Sequence, residues 1–245
     1  MGRKVSYIKD LTKEYVKKLN HISIISKPFI LENEFIELVN NGLQNKLEIG
    51  TKVILQNAIG TDTNWVVADV NHDGINGTVD LVAEHLLQSK DNPIHLESYG
   101  NSNIYQFSDI RTWLNEVFIE GFTEEIKRLL KPIEVITEIY GSPNTTIDKV
   151  KLPSMTELGI TSHNVSLLPE VDEGSMYPIF DKGISNVSNK KRIKCGRDEE
   201  TTEWWWTRTK FKKDSHTVCV IGQNGGFTTR DTWTSPGGVI PIIRF

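Results

Sequence analysis

The sequence predicts an α+β protein, on three observations. Apolar residues recur at helical spacing in 8–19, 32–39 and 108–130. From Leu47 to Ala83 the pattern switches to short runs of strand residues. The stretch 204–245 then gathers four of the six tryptophans, two glycine-marked turns and a final apolar run, a makeup that calls for a sheet.

Taken in order, Ile8, Leu11, Tyr15, Val16 and Leu19 share one face of a first helix, with lysines on the other. A second, shorter helix fits Glu32 to Val39, with Phe35, Ile36 and Val39 inward and Gly42 as its stop. These residues read as a helical N-terminal extension or a small adaptor; the alternative is that they pack on the main domain. Strands are expected at 51–56, 64–70 and 77–83. Asn71-His-Asp-Gly74 supplies a hairpin turn between the last two, which makes a β-meander. Ser108 caps a helix whose stripe is Ile110, Trp113, Leu114, Val117 and Phe118; Gly121 interrupts it and Thr123 caps a second segment carrying Ile126, Leu129 and Leu130. Residues 133–200, rich in proline, serine and asparagine, read as long irregular loops. In the last stretch Trp204 and Trp206 are expected to bury together while Trp205 faces the other way. His216 to Ile221 is the next strand, Gly222 to Gly226 the turn, 227–229 the return strand and 238–245 the last. Pro241 cannot donate to a ladder, so that strand is expected at an edge or with its proline at a bulge.

A net charge of -4 with 24% charged residues advertises no polyanion-binding surface, so nucleic acid is not an expected partner. No run of 18 apolar residues occurs and the first residues lack the apolar core of a signal peptide, so a soluble, cytosolically made protein without membrane insertion is expected. Cys195 and Cys219 are too few for a disulfide framework, and no Cys-x-x-Cys spacing suggests zinc.

Asp69-x-Asn71-x-Asp73-Gly74 with Asp80 matches the spacing of a calcium loop. It lies between strands rather than helices, however, and Asp80 sits inside an apolar strand, so a hairpin turn is the better reading and no metal or other cofactor is expected. The six histidines form no His-x-x-x-His pair, and no Gly-x-Ser-x-Gly elbow, Gly-x-Gly-x-x-Gly or Walker pattern occurs. Catalysis therefore has no motif to stand on. Phe211, Phe227 and Trp233, by contrast, fall among Lys213, Gln223, Asn224, Arg230 and Asp231 in turn-rich surroundings. Aromatics mixed with amides and charges make a recognition surface, and these eight are the candidate ligand-binding residues. The alternative is that Phe227 and Trp233 plug the sheet.

Three blocks in order carry a resemblance: Asn64 to Gly74 with Thr78-Val-Asp-Leu-Val82; Ser108-Asp-Ile-Arg-Thr-Trp-Leu-Asn115 with Phe118 and Phe122; and Trp205-Trp-Thr-Arg-Thr209 with Gly238-Val-Ile-Pro241. Asp148 to Leu158 and Glu173-Gly-Ser-Met176 also fit. Over about 47–245 the chain resembles the domain of unknown function 6273, a family of phages and prophages of Gram-positive bacteria. The resemblance implies a C-type lectin-like fold for 47–245, with 1–46 outside it as a possible particle-docking segment. It implies a non-enzymatic part of a phage or phage-tail-like particle, in the tail, tail tip or baseplate. Such a part would have other virion proteins as partners, a bacterial surface glycan as ligand and a homo-oligomeric state. A capsid or collar decoration protein without receptor binding, and a formylglycine-generating-type enzyme using the two cysteines, are the alternatives. Where the family commonly reads Gly-Val-Arg-Pro, this chain has Gly238-Val-Ile-Pro241, which puts a buried ion pair in question.

Overall fold

A computed structural model describes residues 17, 22, 24–25, 27–56, 63–87, 98–163, 165–180, 189–196, 201–234 and 237–245. The apolar residues of the helix expected at 8–19 lie outside these.

Mixed α+β architecture with mainly antiparallel sheets is what the chain adopts. The expected meander is present as β2 (Lys52–Leu55), β3 (Thr63–Val70) and β4 (Val79–Ala83), paired antiparallel in sequence. A bulge between Val67 and Asp69 resets the alternation, so that Val70 packs on the same side as Trp65 and Val67. The turn joining β3 and β4 holds Asn71 and Asp73 at φ of 56° and 55°, the left-handed region that Asn and Asp tolerate.

The boundary expected at 46 does not mark where the body begins. β1 (Phe29–Leu31) pairs parallel with β2, and α1 (Glu32–Asn40) drops Phe35 and Leu38 into the main core, where Phe35 meets Phe245 edge-on at 4.8 Å. At least 29–47 therefore packs on the domain, because α1 has an apolar face too wide to leave in water. The second expected helix is thus correct in place, and its role as an extension is not.

The helix pair follows its capping signals. Ser108 Oγ accepts from the Arg111 N–H at the start of α2 (Asp109–Thr112), and Thr123 Oγ1 accepts from Ile126 at the start of α3 (Glu124–Leu129). Between them the helix widens to a π turn over Trp113–Val117 and tightens to a 3-10 turn over Phe118–Gly121, so the interruption expected at Gly121 is spread over two turns.

Residues 133–151, expected to be irregular, are strands instead. β5 (Ile133–Ile139) and β6 (Ser142–Asp148) form a two-stranded hairpin, joined at Tyr140 and Gly141 with φ of 51° and 80°. β7 (Val150–Lys151) follows at an edge of the main sheet. β8 (Trp205–Lys210), β9 (Thr217–Ile221) and β10 (Phe227–Asp231) make a separate antiparallel sheet in the order β10-β9-β8.

The last strand corrects the sequence reading most. β11 (Ile242–Arg244) does not join β8–β10; it lies inside the six-stranded sheet, whose order is β1-β2-β3-β4-β11-β7. It is an interior strand with no bulge of its own in the register. Pro241 stands just before it and needs no donor there, since its carbonyl accepts from the Ala83 N–H.

Two apolar clusters flank the sheets. Val79, Leu81, Ala83 and Ile243 face the cluster that holds the helices, while Val82, Ala68 and Ile242 face a second one with Met155 and Tyr177. The tryptophan run divides by the same rule of two. Trp206 enters the first cluster with Trp204 at its margin, 4.7 Å away edge to face, and Trp205 enters the second.

Candidate functional site

The eight residues singled out from sequence all fall on or beside the β8–β10 sheet, but they do not form one cluster. Phe227 is opposite Ile221 and Asp231 opposite Thr217, so the two ends of the hairpin are roughly 14 Å apart. Gln223 and Asn224 are exposed in the turn at one end, with Phe227 half-buried beside them. Lys213, Asp231 and Trp233 are exposed at the other end. Phe211 packs against the second apolar cluster and serves the core. The alternative in which Phe227 plugs the sheet also fits its contact with that cluster.

Trp233 is different. Its indole is 54% exposed, lies 4.8 Å from the His216 ring, and donates through Nε1 to Asn101 Oδ1 at 3.4 Å. Alongside, the Arg230 guanidinium sits 5.4 Å above the Trp204 ring. Asp214 accepts from the His216 and Thr217 N–H groups at 2.9 and 2.6 Å and so sets the loop that presents His216. An oriented aromatic plane with an imidazole and an amide beside it can hold a flat apolar ligand face and bond its polar rim.

At the other end, Gly225 has φ of 75°, and a Cβ placed on it would come within 2.2 Å of the Asn189 carbonyl oxygen. Gly225→Ala is accordingly expected to cost about 1–3 kcal/mol from backbone strain alone, read as a lowered midpoint in urea unfolding.

A second feature was not legible from sequence. A cavity of about 650 Å³ is lined by Arg208, Arg244 and Glu157 together with Asp73, Glu134 and Asp172. Beneath it runs a buried charge network. Glu157 is held by Lys151 Nζ at 2.6 Å and by a fork from Arg208, Nη1 at 2.6 Å and Nη2 at 2.9 Å. Burial works against the Glu157 anion, but Arg208 and Lys151 hold its carboxyl down at about 2. Arg208 also donates to the Leu152 and Glu173 carbonyls. The Glu173 side chain accepts from Thr209 Oγ1 and from the Glu138 N–H. Burial nonetheless pushes its carboxyl up to about 7, against the pull of Arg208.

Next to this, Asp80 receives Arg244 Nε at 2.6 Å and Nη2 at 2.7 Å, and the Tyr177 hydroxyl at 2.7 Å. His72 stacks on Tyr177 at 3.8 Å and bonds Asp69 at 2.7 Å through Nδ1. The carboxylates and amide of the calcium-like pattern are thus engaged by protein groups: Asp69 by His72, Asn71 by the Gly77 N–H, Asp80 by Arg244, and Asp73 by the same Arg244 at 3.7 Å. Ile240, where the resemblance leads one to expect arginine, is fully buried in the second cluster; the buried cation on this strand is Arg244. Gly174 completes the cavity wall at φ of 112°, where a Cβ would lie 2.8 Å from Glu157 Oε1.

The network draws one residue or more from each of several separate stretches: Asp80, then Glu157, then Glu173, then Arg208. The sequence profile of the family described as "Domain of unknown function (DUF6273)" matches residues 76–244, well over half of the chain, and includes all four. The chain belongs to the DUF6273 family. No curated protein and no solved structure matches it. The DUF6273 span begins at the β3–β4 turn, so β1, α1, β2 and β3 precede it, the strands sharing its main sheet and α1 its core. Within the DUF6273 span the charge network is internal and self-satisfied, which suits it to hold the loops 152–180 against the sheets. The Trp233 face, by contrast, presents polar and aromatic groups outward.

Proposed function

We propose that this DUF6273 protein is a non-enzymatic component of a phage or phage-tail-like particle. In this reading a C-type lectin-like body meets a glycan on the bacterial surface through the face around Trp233. One observation carries the binding half: a tryptophan more than half exposed and oriented by His216 and Asn101. Aromatic planes beside hydrogen-bonding groups suit the apolar face and hydroxyl rim of a sugar ring. Single contacts of this kind are weak, and repetition on a particle multiplies them. The fold class and the family membership are compatible with the reading. The enzyme alternative is disfavoured, because Cys219 is fully buried and burial pushes its thiol well above the ordinary range.

Trp233→Ala combined with Arg230→Ala is expected to lower binding of the purified chain to host cells by roughly tenfold or more while leaving thermal unfolding within a few degrees of wild type. Gradient-purified particles should contain the chain at a fixed ratio to their tube protein. Particles that carry the double variant and adsorb normally would instead make the chain a decoration protein. Its absence from every particle fraction would discard both roles.

A further inference from the structure

We propose that the cavity of about 650 Å³ binds an organic cation, an ammonium or guanidinium group on a short apolar stem, either free or borne on a lysine or arginine side chain of a peptide. The site shares no residue with the Trp233 face, so it stands or falls separately from the role of that face. Its volume lies within the roughly 300–1,000 Å³ of small-ligand sites. Three parts of the chain build it. The β3–β4 turn contributes Asp73 and Ile75, β5 contributes Glu134 and Ile136, and the loops 152–180 contribute Asp172. Ile75 is 44% exposed and Ile136 half-buried, so the walls offer apolar surface to a ligand. Glu134 and Ile136 share one face of the β5–β6 hairpin, and Ile147, 64% exposed, stands opposite Glu134 and adds to that surface.

The sign of the charge selects the ligand. Arg208 has no donor left for an anion: Nε bonds the Ile136 carbonyl, Nη1 the Leu152 carbonyl and Glu157, and Nη2 Glu157 and the Glu173 carbonyl. Arg244 spends Nε and Nη2 on Asp80. Glu157 is filled in turn by Lys151, Arg208 and the Ser154 N–H. Asp73, Glu134 and Asp172 are the exposed charges of the wall, and all three are carboxylates. With the groups directly behind them, the carboxylates of Asp73, Asp80, Glu134, Glu157 and Asp172 outnumber the cations of Lys151, Arg208 and Arg244 by two. A cation is therefore drawn in and an anion repelled. Asp73 is also set to receive a donor. Arg244 Nη2 stands 3.7 Å from one of its oxygens and His72 Nε2 3.6 Å from the other, ion-pair distances beyond a hydrogen bond. His72 is 2% exposed, and among the described residues its Nε2 has no hydrogen-bond partner. Because Nδ1–H is given to Asp69, the neutral ring turns a lone pair, not a donor, toward Asp73. Acceptor thus faces acceptor at the cavity wall, and an N–H from a bound cation supplies the missing donor to Asp73.

The test titrates the full chain with N-butylguanidinium chloride, followed by ligand-observed NMR at constant ionic strength, beside N-butylurea, its uncharged isostere. N-butylguanidinium is expected to saturate, and N-butylurea to bind about fivefold more weakly or less. Glu134→Gln with Asp172→Asn changes two exposed side chains and should raise the half-saturating concentration about fivefold or more. Glu124→Gln with Glu125→Gln removes the same charge from α3 and should leave that concentration unchanged. A blocked tripeptide with arginine between alanine and isoleucine identifies the source: tighter binding than N-butylguanidinium assigns a peptide side chain, and equal or weaker binding a free cation. Equal binding of N-butylurea and N-butylguanidinium would overturn the proposal, as would a wild type that does not saturate. The same half-saturating concentration in wild type and in the Glu134→Gln, Asp172→Asn variant would overturn it too. So would an equal rise in the α3 variant, which would reduce the effect to net charge.

Discussion

Glu157→Ala is expected to destabilise the fold by about 3–5 kcal/mol, the largest single effect on the molecule. The substitution removes the carboxylate that both Arg208 and Lys151 depend on, and each of those side chains is 1% exposed. Arg208 would keep its bonds to the Leu152 and Glu173 carbonyls, but its charge would be left unpaired in the interior. The Ser154 N–H, which now donates to Glu157 Oε2 at 3.0 Å, would lose its acceptor too, and with it the start of the 154–160 loop. Urea unfolding at neutral pH measures the effect as a shift in midpoint at constant slope. Replacing Glu157, Arg208 and Lys151 together by apolar residues of similar size should recover much of the loss, because no charge is then left alone. A loss below about 1 kcal/mol for Glu157→Ala would mean that water already reaches the network.

The second large effect is an unusual pH dependence. Glu173 has a folded pKa raised from 4.5 to about 7 by burial. In the unfolded chain it releases its proton near the ordinary value, while the folded chain still holds it. The unfolded state therefore binds fewer protons between these two values, and stability falls as pH rises through that window. Two and a half pH units correspond to about 3 kcal/mol. Glu157 contributes with the opposite sign and in a different window. Its folded pKa is depressed to about 2, so its contribution is present above the ordinary carboxylate range and is lost as pH falls from there toward 2. These two groups together set a stability maximum near pH 4.5–5. Glu173→Gln should remove most of the decline between pH 5 and 7.5, seen by comparing urea midpoints of the two proteins at both pH values. An equal decline in Glu173→Gln and wild type would mean that another group titrates there.

How much was legible differs by element. Local signals were read correctly where one segment decides its own fate: the meander, the α1 stripe, the Ser108 and Thr123 caps and the split of Trp204 and Trp206 from Trp205 all depend on periodicity or capping alone. The β5–β6 hairpin was missed because its inward positions include Thr137 and Glu138, which break the apolar alternation, and because Pro143 looked like a loop marker. Pro143 is acceptable there because β6 pairs on one side only. The placement of β11 could not be read from 238–245, since an apolar strand does not state which sheet it joins. The charge network was hidden for a related reason. Arg208 in a strand reads as a solvent-facing residue until Glu157 is known to be opposite it, and nothing local links 208 to 157 or 244 to 80. A signal was nevertheless present, because Arg208 lies in one of the three blocks that carry the family resemblance and Glu157 and Glu173 lie in stretches that also fit it. Of the eight candidate binding residues, Arg230 and Asp231 lie toward one end of the hairpin, whereas Gln223 and Asn224 sit in the turn at the other, a separation that only strand register reveals.

The position of β11 also governs the order in which the molecule can be assembled during synthesis. Asp80 and Arg244 are 164 residues apart in sequence, and the strand between β4 and β7 is the one that carries Arg244. While the ribosome has yet to release 242–244, β4 exposes a bare row of backbone donors and acceptors along Val79–Ala83, every residue of which is buried in the finished fold. At ordinary elongation rates that edge stays open for roughly ten seconds or more, long enough to pair with a neighbouring nascent chain. Closure comes in one late event that joins two distant parts of the chain, so folding is expected to be slow for a domain of this size.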